Sequence, residues 1–425
     1  MPGDNARQAA QHLPDVSSIF CVMEVCEMTS GITVRDVMNT DQLKCFKLLA
    51  GAGGLDNRVA KVGILDFEFA EGGQEHCIEL HWVPNEFVLS TLLYAKDNDT
   101  PLLAAVEKLY ASHVSGMAIK NVFSLEIPKE VLRYADENKF PIFIQTENTP
   151  FFEDIIIYVS ELLKSVSNHN AIGGKIDAIL TGDIDGNQIK RLALEINQVF
   201  RNTFVASYFT PREQNGPNAN RQLILLISRK SEKFKGTSAS LVGHKGGFFH
   251  IFSEDDASKI DTEMIIRNAC AIIGLRENDF FIGRSEMLTD LSNFKKALIQ
   301  ALYASDYSRI FGRNISDYRD LGVYQLLFPS SQEEWTNDFY AATTARVAAA
   351  DVENGSNLLS VMLKYEEVGG NIRDVAAHFF THENTIRYRL GKIRKLFGLE
   401  LSDREFSERL MIAAKIHRIK VASLN

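Results

Sequence analysis

Residues 371–397 read NIRDVAAHFFTHENTIRYRLGKIRKLF. Asn371 is a good helix N-cap, and Val375, Ala376 and Phe379 follow at helical spacing, so a short helix is expected from Asn371 to about Phe379. Phe380-Thr381 then makes a tight connection, and a longer helix runs from about His382 to Phe397, stopped by Gly398. On this second helix Ile386, Leu390, Ile393 and Phe397 fall on one apolar stripe. The opposite face carries Asn384, Tyr388, Gly391, Lys392 and Lys395, flanked by Thr385 and Arg387. Five basic residues (Arg387, Arg389, Lys392, Arg394, Lys395) lie in this helix, and no acid follows Glu383 within it. A short helix, a tight turn and a longer basic helix is the helix-turn-helix layout.

The surrounding sequence completes a small all-α unit. A helix over about Asn357–Glu367 is stopped by Gly369-Gly370, and a last helix opens on the capping box Ser402-Asp403-Arg404-Glu405 and continues to about Lys420. Charge is segregated to match. Residues 354–425 hold 12 Lys/Arg against 8 Asp/Glu, while the rest of the chain holds 34 against 47, and the whole chain has a net charge of -9. A basic end on an acidic body argues against general polyanion binding and for a local nucleic-acid contact. On that reading Asn384 is suited to adenine, Arg387 to guanine or phosphate, and Arg389, Lys392 and Lys395 to phosphates, with Thr385 beside them. Tyr388 fits packing or base contact equally. Gly391 is a poor helix former on an outer face, which suggests close approach by a partner. A charge run alone fits a solvated surface helix; the preceding short helix and tight turn favour the nucleic-acid reading.

The 425 residues suggest two to four domains, and 45% hydrophobic with 24% charged residues is an ordinary globular balance. Five scattered cysteines (Cys21, Cys26, Cys45, Cys77, Cys270) form no paired framework and fit a reducing compartment. No apolar run is long enough to span a membrane and the N-terminus reads as no signal peptide, so a cytoplasmic location is expected.

Residues 1–30 read as an extension. From 31 to about 163, strand-like Val59–Leu65, Phe87–Thr91, Gly116–Lys120 and Pro141–Gln145 alternate with helix-like Pro101–His113 and Pro128–Asn138, an α/β domain with a largely parallel sheet. The polar run Lys164–Asn170 reads as a linker. A second α/β unit over 171–329 has a helix near Gln188–Phe200, strands at Thr203–Phe209 and Gln222–Ile227, a strand pair bracketing Gly246-Gly247, and a helix over about Asn293–Ala304. A break at Pro329–Trp335 and a helical connector (330–353) lead to the C-terminal unit, 354–425. Glu75, His76, Cys77, Glu79 and His81 are metal-ligand types, but their spacing and the flanking Gly72-Gly73 and Pro84 indicate a polar loop, so no metal site is expected.

The runs Asn371–Phe379 and His382-Glu383-Asn384-Thr385-Ile386-Arg387-Tyr388-Arg389-Leu390 resemble the C-terminal helix-turn-helix of PucR/CdaR-type bacterial transcription regulators. The family usually has Arg where this chain has Glu383, a departure that bears on the target sequence. Upstream, Ile32–Val37, Leu49–Val59 and Asn85–Thr91 resemble the family's N-terminal sensor, with extra residues here between about Phe69 and Trp82. Lys245-Gly246-Gly247-Phe248-Phe249-His250 resembles the degenerate cyclase-like (GGDEF-like) domain of these regulators, with Phe248 and Phe249 where metal-binding carboxylates would stand.

The resemblance implies a multidomain chain: an α/β sensor for a purine-pathway or amino-acid-like metabolite, a degenerate GGDEF-like α/β domain, and an all-α reading head on double-stranded DNA. It implies a homodimer or higher homo-oligomer, no catalytic residues, no cofactor and no membrane contact. The alternative is a signalling protein whose central domain binds or processes a nucleotide.

Overall fold

The computed structural model describes residues 31–65, 82–96, 100–147, 149–213, 217–398 and 400–424. The expected N-terminal extension and the candidate metal ligands Glu75, His76, Cys77, Glu79 and His81 lie outside them. Two compact units emerge: Met1–Gly174 with Asn215–Lys233, and Lys175–Gln214 with Phe234–Asn425.

The first unit is built on five strands, β1 (Phe46–Ala50), β2 (Lys61–Ile64), β3 (Glu86–Ser90), β4 (Gly116–Ile119) and β5 (Ile142–Gln145), in the order β1-β5-β4-β3-β2. β2 to β5 are parallel, and β1 closes the edge antiparallel to β5, with Phe46 opposite Gln145. The inner strands β3 and β4 are buried throughout, as a parallel sheet covered on both faces requires. Their side chains alternate between two cores. Val88, Met117, Ile119 and Ile142 meet Leu102, Val106 and Leu109 of α2 (Thr100–Ala111) and Val131 and Ala135 of α3 (Lys129–Glu137). Phe87, Leu89, Ala118 and Phe143 meet Val34 and Val37 of α1 (Val34–Met38) and Ile155, Val159, Leu162 and Val166 of α4 (Phe152–Thr181).

Two expectations are corrected here. Lys164–Asn170 is not a linker but the middle of the 30-residue helix α4. Leu162, Ser165, Val166 and His169 are buried at helical spacing, so the apolar stripe runs through the polar stretch. Gln222–Ile227 is not a strand but part of the helix α6 (Pro217–Ser231), whose Leu225 joins the second core of the first unit. A short apolar run cannot by itself distinguish strand from buried helix.

α6 is tied to α1 by charge as well. Thr33 caps α1 through a capping box with Asp36. The Asp36 carboxylate, 1% exposed, accepts from Arg221 Nε at 2.8 and 2.9 Å and from Arg221 Nη2 at 2.5 Å. Arg221 Nη2 also donates to the Gly31 carbonyl at 2.9 Å.

The second unit carries a six-stranded sheet whose neighbours run Ile315–Asp317, Phe280–Arg284, Thr203–Pro211, Gly247–Glu254 and Ala239–His244, with Leu288–Thr289 beside Thr203–Pro211. α5 (Gly186–Ile196) precedes β6 (Thr203–Pro211); β7 (Ala239–His244) and β8 (Gly247–Glu254) form the expected hairpin. Then come α7 (Thr262–Ile273), β9 (Phe280–Arg284), β10 (Leu288–Thr289), α8 (Phe294–Phe311) and β11 (Ile315–Asp317). Gly247 sits where strands crowd: a Cβ there would run into the Phe209 carbonyl and come within 2.7 Å of the Tyr208 hydroxyl.

Helices complete the unit: α9 (Tyr324–Ser330), α10 (Glu334–Tyr340), α11 (Arg346–Asn354), α12 (Leu358–Glu367), α13 (Ile372–His378), α14 (Glu383–Phe397) and α15 (Asp403–Leu424). A π-turn over Ala341–Ala345 joins α10 to α11. Val347 of α11 enters the same core as α12 to α15. α15 also reaches the sheet domain, where Ile419 meets Ala304, Tyr324 and Phe328.

Replacing Arg221 by Ala leaves Asp36 a buried, unpaired carboxylate, and the first unit is expected to lose about 3 kcal/mol. Arg35→Ala, which breaks the exposed Arg35–Asp56 pair, is expected to cost under about 1 kcal/mol. Urea titration followed by Trp82 fluorescence separates the two, since Trp82 packs on the first unit's core while Trp335 is 69% exposed. Equal shifts would show that the Asp36 contact does not hold α6.

Burial holds His169, His244 and His250 neutral, with pKa values lowered to about 4. The unfolded chain takes up these protons below about pH 6.5, the folded chain only near 4. Stability is therefore expected to fall as pH drops from about 6.5 towards 4, and His250→Leu to flatten that fall. Urea midpoints that stay level between about pH 7 and pH 5 would refute it.

Candidate nucleic-acid interface

Ile386, Leu390, Ile393 and Phe397 of α14 are buried against Val361, Met362, Val375, Ala376, Phe406 and Leu410. This stripe fixes the rotation of the helix, so the opposite face is also fixed. Asn384, Arg387, Tyr388, Gly391, Lys392 and Lys395 all lie exposed on it, and Thr385 and Arg389 are half-buried at its margins. The seven residues singled out from the sequence are thus brought to one helix.

The frame around α14 is locally determined. Asn371 caps α13 by accepting from the Arg373 backbone N–H at 3.0 Å. The turn residue Phe380 is in the left-handed region (φ 50°) and 97% exposed. His382 caps α14, its Nδ1 accepting from the Asn384 N–H at 3.2 Å. Neither feature was legible beforehand, since His is not a favoured N-cap and Phe rarely adopts positive φ. The Ser402–Glu405 capping box forms, and the Ser402 hydrogen bonds hold the Glu405 carboxyl below its ordinary range.

The cations of α14 fall into three groups. Arg394 is turned into the fold, 2.6 Å from Asp403 and over the Phe406 ring at 4.8 Å. Arg387 lies on the outer face, with Nη2 3.0 Å from Glu383 Oε2 and Nη1 3.4 Å from Asn384 Oδ1. Arg389, Lys392 and Lys395 pair with no carboxylate among the described residues, and Lys392 lies 4.8 Å from the centre of the Tyr388 ring. Tyr388 is 64% exposed, so it does not pack in the core.

Residues 36–163 match the Purine catabolism regulatory protein-like family, and residues 358–416 match the PucR C-terminal helix-turn-helix domain. The chain carries a PucR-type N-terminal domain and a PucR-type C-terminal helix-turn-helix. It is 35% identical over 239 residues, 56% of its length, to the Purine catabolism regulatory protein of Bacillus subtilis (strain 168). It is 27% identical over 126 residues, 29% of its length, to the Proline-responsive transcriptional activator PutR of the same organism. The matched stretches span 42% and 31% of those relatives' lengths. A solved Regulator of Polyketide Synthase Expression from Bifidobacterium adolescentis aligns over 60% of this chain and 99% of its own, at 14% identity and a TM-score of 0.29.

Within the PucR-type helix-turn-helix, nothing lies within 4 Å of where a Gly391 Cβ would stand. Gly391→Ala is therefore expected to stabilise the helix by about 1 kcal/mol. If a duplex approaches the backbone there, the same change weakens DNA binding. A melting temperature that rises while DNA affinity stays level would show that nothing comes close to Gly391.

Proposed function

We propose that the chain is a DNA-binding transcription regulator in which α14 enters the major groove of double-stranded DNA. One observation carries the reading: a PucR-type helix-turn-helix whose long helix presents Asn384, Arg387, Tyr388, Lys392 and Lys395 on one exposed face, with Thr385 and Arg389 at its margins. Asn384 and Arg387 are placed to read bases; Arg389, Lys392 and Lys395 position the phosphates. One curated relative is named a regulatory protein of purine catabolism and the other a proline-responsive transcriptional activator, which supports a small-metabolite effector for the N-terminal domain.

The proposed layout is a sensor over 31–163, a spacer over 171–329, a connector over 330–353 and a reading head over 354–425. The spacer is read as GGDEF-like but without enzyme activity. In support, β6, β7, β8 and β9 share one sheet with α7 between β8 and β9 in sequence, and Phe248 and Phe249, beside Gly246-Gly247, are fully buried with no side-chain oxygen to offer a metal ion. Among the described residues no helix is long and apolar enough to cross a membrane; a cytoplasmic location is part of the proposal. A single helix-turn-helix contacts few bases, so a homodimer or higher homo-oligomer on two half-sites is the expected assembly.

Selection of genomic fragments by the purified protein should enrich a two-fold-related site. Binding should weaken with salt by about 0.9 log units per log unit of salt for each phosphate neutralised. Asn384→Ala with Arg387→Ala should abolish site-specific binding while oligomer size is unchanged. Absence of any enriched fragment, or binding indifferent to salt, would sink the proposal.

A further inference from the structure

We propose that Glu383 sets the sequence selectivity of α14 by holding the Arg387 guanidinium in one orientation, presented to a guanine edge in the major groove. This rests on the DNA-reading function proposed above. Glu383 is the one acid on a helix that is otherwise basic to its end, and its side chain is 40% exposed. The positive end of a helix favours an acid in its first turn, and a surface pair at this spacing stabilises a helix only slightly. The dipole effect needs no contact with the exposed face, and the carboxylate nevertheless engages Arg387, a residue of that face.

The geometry shows what the engagement does. Arg387 Nη2 is 3.0 Å from Glu383 Oε2, and Arg387 Nη1 is 3.4 Å from Asn384 Oδ1. Two acceptors on two different nitrogens fix the plane of the guanidinium. Three of its five N–H groups remain, enough for the bidentate pair with guanine O6 and N7. An arginine already ordered gives up less side-chain freedom on binding, so the correct base gains relative to others. The carboxylate also offsets the charge of Arg387, which weakens its attraction to phosphates of any sequence. Both effects raise selectivity, and the second does so by lowering affinity for random duplex.

The test compares full-length wild type, Glu383→Gln, Arg387→Ala and the double variant on the site the wild type selects, on single-base variants of that site, and on random duplex. Glu383→Gln is expected to bind random duplex about fivefold more tightly, with the salt slope steeper by about 0.9, as one more phosphate contact becomes available. At one guanine of the site, discrimination should fall about tenfold. In the Arg387→Ala background, Glu383→Gln should leave discrimination at that guanine unchanged. A merely structural Glu383 would instead weaken binding to every duplex alike, which overturns the proposal. So would a loss of preference at a cytosine that persists without Arg387, because Glu383 would then accept from the cytosine amine itself. A wild-type protein that selects no sequence at all overturns the DNA-reading function, and the inference falls with it.

Discussion

The burial of four side chains on one stripe of α14, Ile386, Leu390, Ile393 and Phe397, is the constraint on which the reading head depends. A helix has no preferred rotation until one face is removed from water, and each fully buried side chain of this kind contributes roughly 1.5–3 kcal/mol. α12, α13 and α15 supply the facing surface, and α11 adds Val347 to it. With the rotation set, the polar face is determined residue by residue, and helix periodicity decides that Lys395 faces out while Arg394 turns to Asp403. Glu366 anchors the same assembly from behind: its nearly buried carboxylate takes Lys415 and, at 3.1 Å, Arg418. That pair of contacts ties α12 to α15, so the platform beneath α14 resists sliding.

Much of this was legible in the sequence because it is local. Caps at Asn371 and Ser402, the stop at Gly398 and the 3.6-residue spacing of apolar side chains all act within a few positions. The same holds for α2, α3 and the inner strands of the first sheet, where continuous apolar runs coincide with burial on both faces. The features that escaped were decided by distant partners. Polar Ser165 and His169 became buried on a helix whose Leu162 and Val166 pack in the second core, and Gln222–Ile227 became helical in a chain segment that packs on residues nearly two hundred positions earlier. β1 escaped because a half-exposed edge strand, FKLLA, carries neither clean alternation nor a long apolar run. On the candidate interface, the positions on the outer face were readable from periodicity, whereas the Arg394–Asp403 pairing needed the packing of two helices.

In the second unit the aromatic residues that follow Gly247 belong to the core. Phe248 stacks on Phe209 with ring centres 4.5 Å apart, and Phe249 lies 4.7 Å from Tyr208. These aromatic pairs, with the buried His244 and His250 around them, fill the space beside the β7–β8 hairpin with side chains. Gly247 completes the arrangement by leaving room for Tyr208, whose hydroxyl donates to the His244 carbonyl at 2.6 Å. Such a turn is stabilised by dispersion and apolar burial.

The first unit is discontinuous in sequence, with α6 arriving after an excursion of some forty residues through the second. Modular regulators diversify when whole domains are exchanged, and exchange by recombination acts on contiguous stretches of gene. A transplant of residues 31–174 onto another reading head would carry Asp36 without Arg221 and the second core without Leu225. The donor fragment would have to extend past Ser231, bringing β6 with it, or the host would have to supply an equivalent helix. Crossovers between residues 175 and 216 are thus disfavoured by the architecture.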